Sequence, residues 1–163
     1  MESTLEVRSK RGFWLVRGLG AVAFAVACAV SMRTANAWQV ALGAIGAAMF
    51  GAFALYALRQ GLRRGPRLVL RPGGFEAADL GVGLVSWSDI ETVEQFGSAE
   101  APFIAFHLRD PTPWIARQPP WPRFVRRLLA AQGLPTFSVN LIGVDKDPGV
   151  IAFRARALHV AAG

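Results

Sequence analysis

Two long apolar runs near the start of the chain constrain its fold more than any other feature. The first extends from Phe13 to Met32 and the second from Ala37 to Leu58, with residues 33–36 between them. A bilayer core of about 30 Å is crossed by roughly 20 helical residues, so each run is long enough for a transmembrane helix. The short connection predicts an antiparallel two-helix hairpin, and hence an integral protein of a lipid bilayer.

Basic residues lie mainly outside the ends of this hairpin, which predicts its orientation. They occur before the first run, after the second run and once in the connection: Arg8, Lys10 and Arg11; Arg59, Arg63, Arg64, Arg67 and Arg71; and Arg33. One more, Arg17, lies near the start of the first run, where its long side chain can reach the headgroups. Positively charged flanks stay in the cytoplasm. We therefore expect a multi-pass protein of the inner (plasma) membrane with both termini cytoplasmic. Its parts would be an N-terminal segment at 1–12, the hairpin at 13–58 and a cytoplasmic domain at 66–163.

The same distribution accounts for the formal net charge of +7. Residues 1–71 contain ten basic and two acidic side chains, a balance of +8, whereas residues 72–163 contain eight basic and nine acidic ones, a balance of −1. A nucleic-acid-binding domain carries its own basic surface. Because the positive charge belongs to the hairpin flanks, we expect no nucleic-acid partner.

Two features of the hairpin leave alternatives open. Small residues recur at every fourth position, at Ala21, Ala25 and Ala29 in the first run and at Gly43, Ala47 and Gly51 in the second. This spacing favours close packing within the hairpin, with dimerisation as the alternative. The connection also contains Ala35-Asn36-Ala37, which matches a signal-peptide cleavage site, although the preceding apolar run is longer than the usual signal core.

Beyond Pro66 the pattern changes to short alternating segments typical of β-strands. We predict strands at 67–71, 75–78, 90–96, 103–109 and 136–141, with a turn at 72–74 after the first. The two clearest, 103–109 and 136–141, have one apolar and one polar face. Such alternation favours an antiparallel sheet with one side in water.

Two helices are predicted in the same domain. One extends from Pro122 to Gln132, and the other has Asp147 as its N-cap and Pro148 at its first helical position. The apolar stripe of the second helix, which we expect to pack on the sheet, consists of Val150, Phe153, Ala157 and Val160. The expected fold class is α+β: a transmembrane hairpin, then a curled antiparallel sheet or partial barrel, then a C-terminal capping helix.

Two stretches, 68–75 with its Pro72-Gly73-Gly74 turn and 85–90 with Trp87 and Ile90, resemble small bacterial membrane proteins that carry a pleckstrin-homology-like domain. The resemblance implies two transmembrane helices, a barrel capped by a C-terminal helix, and a scaffold or binding role rather than catalysis. In this family, the members that bind phosphoinositides carry a basic loop between the first two strands, which binds the phosphates. The turn after Arg71 has a single basic residue, so the resemblance does not imply that ligand here.

The segment 110–127 is the most unusual part of the domain, because aromatic, basic and proline residues alternate in it. Its candidate contact residues are Trp114, Arg117, Trp121, Arg123, Phe124, Arg126 and Arg127. A basic, aromatic surface near a bilayer suits anionic lipid headgroups or a partner protein. The alternative is a proline-stiffened loop whose aromatic rings lie on the domain. The stretch 87–90 has a structural explanation, in which Trp87 and Ile90 fill the core and Asp89 caps backbone amides.

Catalytic and cofactor-binding patterns are missing from the sequence. His107 and His159 have no Cys, His or carboxylate at metal-ligand spacing, and Cys28 lies in an apolar run with no base nearby. We therefore expect no catalytic residue, metal or cofactor. The leading hypothesis is a non-enzymatic scaffold or binding module that engages a protein partner or self-associates at the membrane surface. The alternatives are a headgroup-contacting module using 110–127 and an enzyme acting on membrane lipid.

Overall fold

The computed structural model of the chain describes residues 4–34, 36–118, 135 and 137–162. It divides into two compact units. One is Ser9–Arg64, and the other combines Met1–Arg8 with Gly65–Gly163. We call the first the hairpin and the second the domain.

The hairpin consists of helix α1 (Arg11–Ser31), a short 3-10 helix (Met32–Thr34) and helix α2 (Ala37–Leu62). Both predicted apolar runs are therefore helical, and α2 continues one turn further than predicted. Only 17% of the apolar window of α1 and 11% of that of α2 are buried, whereas the core helix of a soluble protein would be mostly buried. Both helices thus have the length and composition needed to span a membrane.

The start of α2 is fixed by a capping box. The side chain of Asn36 accepts a hydrogen bond from the backbone N–H of Gln39 at 3.0 Å, and the Gln39 side chain accepts one from the backbone N–H of Asn36 at 3.1 Å. This reciprocal pair satisfies two amides that a helix N-terminus leaves free. Asn36, the centre of the cleavage-site match, therefore has a structural role.

Small residues line the contact between α1 and α2. A Cβ atom on Gly18 would lie 3.1 Å from Leu58, and one on Gly61 would lie 3.0 Å from the Leu15 side chain. The most buried alanines of the hairpin are Ala21, Ala54 and Ala57. Of the predicted small-residue faces, Ala21 and Gly43 lie in this contact, but a Cβ on Gly51 would meet nothing within 4 Å. The contact follows a repeat nearer 3.5 residues, so a strict four-residue spacing drifts out of it.

The domain contains two antiparallel sheets and two helices among its described residues. The first sheet has the order β1 (Leu5–Val7), β2 (Leu68–Arg71), β3 (Gly74–Ala77), β4 (Leu84–Ser86), and the second has β5 (Ile90–Gly97), β6 (Pro102–Leu108), β7 (Ser138–Asn140). The helices are α3 (Thr112–Arg117) and α4 (Pro148–Ala162). A 3-10 helix at Trp87–Asp89 separates the sheets along the chain, and no ladder between described strands closes them into a barrel. The fold is thus mixed α+β.

Strand β1 lies before the hairpin in the chain, and the sequence pattern did not predict it because three residues are too few to show alternation. It pairs antiparallel with β2, with Val7 opposite Leu68, and Val7 is fully buried. The next residue, Arg8, exchanges hydrogen bonds with Asp145: its N–H donates to the Asp145 carboxylate at 2.7 Å, and its C=O accepts from the Asp145 N–H at 2.9 Å. The hairpin is therefore an insertion between the first two strands of the domain.

Arg67 belongs to the domain core and not to a solvated basic flank. Its side chain is 1% exposed, pairs with the Asp79 carboxylate at 2.8 Å and donates to the carbonyl of Ile142 at 3.1 Å. A buried guanidinium needs such partners, because an unpaired charge in the interior is very costly. The sequence-based interpretation of Arg67 as one more flanking cation is therefore incomplete.

Helix α4 begins as predicted but packs with the opposite face. The Asp147 carboxylate accepts from the backbone N–H groups of Gly149 at 2.8 Å and Val150 at 3.2 Å. The residues that α4 buries against the sheets are Ile151, Ala152, Ala155 and Leu158. The predicted stripe of Val150, Phe153, Ala157 and Val160 instead faces outward, so that prediction is wrong. The helix has apolar residues on both faces, and periodicity could not distinguish them; the small side chains of Ala152 and Ala155 permit close approach to the sheets.

Other predictions for the domain have mixed outcomes. The strands around the 72–74 turn and those at 90–96 and 103–109 are confirmed, and of the segment 136–141 the structure assigns 138–140 to a strand. The helix predicted from Pro122 to Gln132 lies outside the described residues.

Candidate functional site

The stretch 87–90 is part of the core, as its structural interpretation predicted. Trp87 is 2% exposed, and its indole N–H donates to the carbonyl of Arg71 at 2.8 Å. Ile90 is fully buried. The capping role expected of Asp89 belongs to Ser86, whose hydroxyl accepts from the backbone N–H of Ser88 at 3.4 Å. Asp89 instead lines a neighbouring cleft.

This cleft is open, has a volume of about 290 Å³ and lies between the end of β6 and helix α3. Its lining residues are Asp89, Arg109, Asp110, Pro113, Trp114 and Arg117. Two of the predicted contact residues, Trp114 and Arg117, are therefore brought together with charged residues that the sequence analysis had not selected. We call this the α3 cleft.

Backbone hydrogen bonds hold the charged rim of the α3 cleft in place. The N–H of Arg109 donates to the carbonyl of Asp89 at 2.9 Å, which ties the end of β6 to the 3-10 helix. The Asp110 carboxylate accepts from the backbone N–H of Thr112 at 2.9 Å. That hydrogen bond, with a second from the Thr112 side chain, lowers the pKa of Asp110 below its usual value. Asp110 is therefore ionised at neutral pH.

Trp114 forms the apolar wall of the cleft. It is partly buried and packs against the hydrophobic core of the domain. The guanidinium carbon of Arg117 lies 4.9 Å from the centre of the Trp114 ring, within the range of a cation–π contact. Trp114 therefore faces the domain, and its exposed edge together with Arg117 faces the cleft.

The charges around the α3 cleft are mixed. Two carboxylates, on Asp89 and Asp110, stand beside two guanidinium groups, on Arg109 and Arg117. Acidic side chains repel the phosphates of lipid headgroups, so this rim does not resemble an anion site. It suits a ligand that presents both signs of charge with an apolar group between them.

The remaining predicted contact residues, Trp121, Arg123, Phe124, Arg126 and Arg127, lie outside the described residues. Their role in contacting headgroups or a partner stays a prediction. The lining residues that the sequence analysis did not select as contacts are Asp89, Arg109, Asp110 and Pro113. Asp110 and Pro113 fall within the predicted segment 110–127, whereas Asp89 lies about 20 residues before it. The available signal was the charged pair Arg109-Asp110 directly after the clearest strand.

A histidine and a carboxylate do meet on the second sheet. His107 Nε2 lies 3.2 Å from Glu94 Oε2, with the two side chains 40% and 63% exposed. Such an exposed pair lacks the enclosed polar pocket that would support acid–base chemistry. Within 4–34, 36–118, 135 and 137–162, no group of three or more His, Cys, Asp or Glu residues could hold a metal ion.

Comparison with known proteins assigns no relative. No protein-family model matches the chain, and neither a curated protein nor a solved structure matches it.

Proposed function

We propose that this protein is a membrane-anchored, non-enzymatic binding module whose pleckstrin-homology-like domain engages a protein partner at the cytoplasmic face of the inner membrane. The α3 cleft is the proposed contact site, and its mixed charge is the observation that carries the proposal.

Several features of the domain support the pleckstrin-homology-like class. Seven described strands form antiparallel sheets, and the C-terminal helix α4 packs on them through Ile151, Ala155 and Leu158. The connection between the first two strands, where phosphoinositide-binding members carry a basic loop, is occupied here by the hairpin. That replacement supports a ligand other than a phosphoinositide.

The pairing of β1 with β2 supports a single side for both ends of the hairpin. Residues 5–7 precede α1 and residues 68–71 follow α2, yet they are hydrogen-bonded neighbours in one sheet. Backbone strands cannot pair across a bilayer core, because the polar groups between them would be unsatisfied in hydrocarbon. The excess of Lys and Arg in both flanks then favours the cytoplasm.

A polypeptide matches the α3 cleft better than an anionic headgroup does. A peptide segment presents an apolar side chain between charges of either sign, which fits Trp114 between the Asp and Arg pairs. Mixed charges of this kind give specificity and correct orientation in protein–protein contacts. An arginine and a tryptophan side by side are also the residue types that most often dominate the energy of such contacts.

The test uses the full-length protein in its own membrane. A photocrosslinking amino acid is placed at Pro113, in the cleft, and a matched one at Glu100, an exposed position in the β5–β6 connection. We expect a discrete protein adduct from position 113 and none from position 100. Adding Arg109→Glu should abolish the adduct, because the rim would then carry three carboxylates and a single guanidinium.

The identity of the adduct separates the alternatives. An adduct that forms between two differently tagged copies of the chain identifies self-association as the contact. An adduct to lipid, or an adduct that persists with Arg109→Glu, contradicts a protein partner at this cleft. An unfolded variant is recognised by its lower thermal midpoint in detergent, and the milder Arg109→Gln then replaces it.

A further inference from the structure

Strand β1 is hydrogen-bonded on both of its sides, although it precedes the hairpin in the chain. On one side it pairs with β2, with Val7 opposite Leu68, and the N–H of Arg67 donates to the carbonyl of Val7 at 2.7 Å. The backbone groups of the next residue, Arg8, point the other way, because they alternate along a strand. There the Asp145 N–H donates to the Arg8 carbonyl at 2.9 Å, and the Arg8 N–H donates to the Asp145 carboxylate at 2.7 Å. The strand is therefore an internal part of the domain.

The side chains of β1 complete the hydrophobic core of the domain. Val7 is fully buried in the core cluster that also contains Leu68 and Leu70, and Leu5 packs against that cluster. Without β1, the edge of β2 that it covers would expose unpaired N–H and C=O groups, and the core would have a gap at Val7. We therefore expect the remainder of the domain, Gly65–Gly163, to stay incompletely folded until β1 is in place.

The connection between β1 and the hairpin is too short to cross a bilayer. Ser9 and Lys10 separate Arg8 from the first residue of α1, Arg11. An extended chain spans at most about 3.6 Å per residue, so this connection reaches about 11 Å, whereas a bilayer core is about 30 Å thick. Its backbone polar groups would also be unsatisfied in hydrocarbon. In a membrane, β1 can therefore pair with β2 only when both ends of the hairpin emerge on the same side.

We propose that β1 is a latch that makes folding of the domain depend on the topology of the hairpin. The strand is synthesised before α1 and α2, and β2 is synthesised after them, so the core cannot close until both helices have been made. A chain in which one of the two helices fails to cross the bilayer has β1 and β2 on opposite sides, and its domain stays open. The inference rests on the proposed membrane anchoring and is independent of the partner proposed for the α3 cleft.

The experiment changes the number of membrane spans in the full chain. One variant carries one additional apolar span of about 20 residues between Arg8 and Ser9. This span separates β1 from the rest of the domain, whichever way the hairpin is oriented. The matched variant carries two additional spans at the same point, which return β1 to the side of the domain. Protease is added to membranes that have been made permeable, so that it reaches both sides, and the half-life of the domain is measured.

We expect the half-life to fall by about tenfold or more with one additional span, because cleavage follows the population of the open form. With two additional spans it should return to that of the unchanged chain. The proposal is overturned if the variant with one additional span is as resistant as the unchanged chain, because β1 would then be dispensable. It is also overturned if the variant with two additional spans is equally sensitive, because the insertion itself would then be the cause.

A pair of substitutions tests the latch with the spans unchanged. Val7→Asp places a charge in the core and should shorten the half-life as one additional span does. Thr4→Asp, at the exposed position before β1, should leave it unchanged. Resistance of Val7→Asp equal to that of the unchanged chain contradicts the latch.

Extraction with alkaline carbonate reports the membrane anchoring separately. Release of the unchanged chain by carbonate contradicts the anchoring, and the latch with it. Retention of every variant in the membrane, combined with a domain that resists protease in all of them, contradicts the latch alone.

Discussion

The hairpin and the domain sort their apolar side chains in opposite ways. In the hairpin, small residues such as Gly18, Ala21 and Ala57 are buried, while large ones such as Phe24 and Leu55, with the exception of Trp14, are exposed. In the domain, the largest apolar side chains form the core. Lipid tails are as apolar as leucine, so helices in a bilayer associate through close packing rather than through burial of large side chains.

The outward residues of α4, Val150, Phe153, Ala157 and Val160, which we call the α4 stripe, are the exception to this division. The α4 stripe belongs to the domain, but its Phe153 and Val160 are as exposed as the outward side chains of the hairpin. The domain thus has one face that is as apolar and exposed as the outer surface of the hairpin. Substitutions in each unit test whether large side chains stabilise the domain and small ones stabilise the hairpin.

The largest expected effect is in the domain core. Trp87→Ala removes a buried indole and its hydrogen bond to Arg71, and it should lower the free energy of unfolding of the domain by about 4 kcal/mol. Phe153→Ala, which truncates an exposed aromatic residue of the same domain, should change it by no more than about 0.5 kcal/mol. Denaturant unfolding in detergent, followed by tryptophan fluorescence, measures both. Equal losses would mean that the α4 stripe is part of the core.

The buried ion pair comes next. Arg67→Ala removes the buried guanidinium that pairs with Asp79 and should destabilise the domain by about 3 kcal/mol. Arg64→Ala, an exposed arginine of the same basic cluster, should have an effect within about 0.5 kcal/mol. Urea midpoints of the two variants provide the comparison. Equal midpoints for the two variants would mean that Arg67 is a solvated flanking residue like Arg64 and not part of the core.

In the hairpin, we expect stability to depend on the steric fit between α1 and α2 rather than on the burial of large side chains. Gly18→Val adds a Cβ at 3.1 Å from Leu58, and overpacking of this kind should cost about 2 kcal/mol. Gly20→Val, two residues away on the same helix, meets nothing within 4 Å and should be nearly neutral for packing. Resistance to unfolding by sodium dodecyl sulfate reports the difference. If Gly20→Val proved the more damaging change, the α1–α2 contact would have to use another face.

The smallest effect is expected at the start of α4. Asp147→Ala removes the cap that accepts from Gly149 and Val150 and should cost about 1 kcal/mol. Lys146→Ala, at the preceding exposed position, should leave the unfolding midpoint almost unchanged. An Asp147→Asn variant keeps an oxygen acceptor and should recover most of the stability. Failure of Asn to do so would indicate that the charge, and not the cap, is what matters.

Local patterns in the sequence were sufficient for the elements that depend on local physics. The lengths of the apolar runs predicted both hairpin helices, alternation around 72–74 predicted β2 and β3, and Asp147-Pro148 predicted the start of α4. Each of these signals lies within a single helix or within neighbouring residues of one turn and its flanking strands. Trp87 and Ile90 were likewise assigned to the core from residue type and turn chemistry alone.

Long-range contacts decided the rest. Strand β1 is stable only because β2, more than 60 positions later, offers it a partner, and the buried state of Arg67 depends on Asp79 and Ile142. The α3 cleft joins Asp89 to Arg117 through the pairing of β5 with β6. The sequence by itself determined that α4 is apolar, but only packing against the sheets chose which face is buried, because Ala152 and Ala155 allow a closer approach than Phe153 and Val160 would.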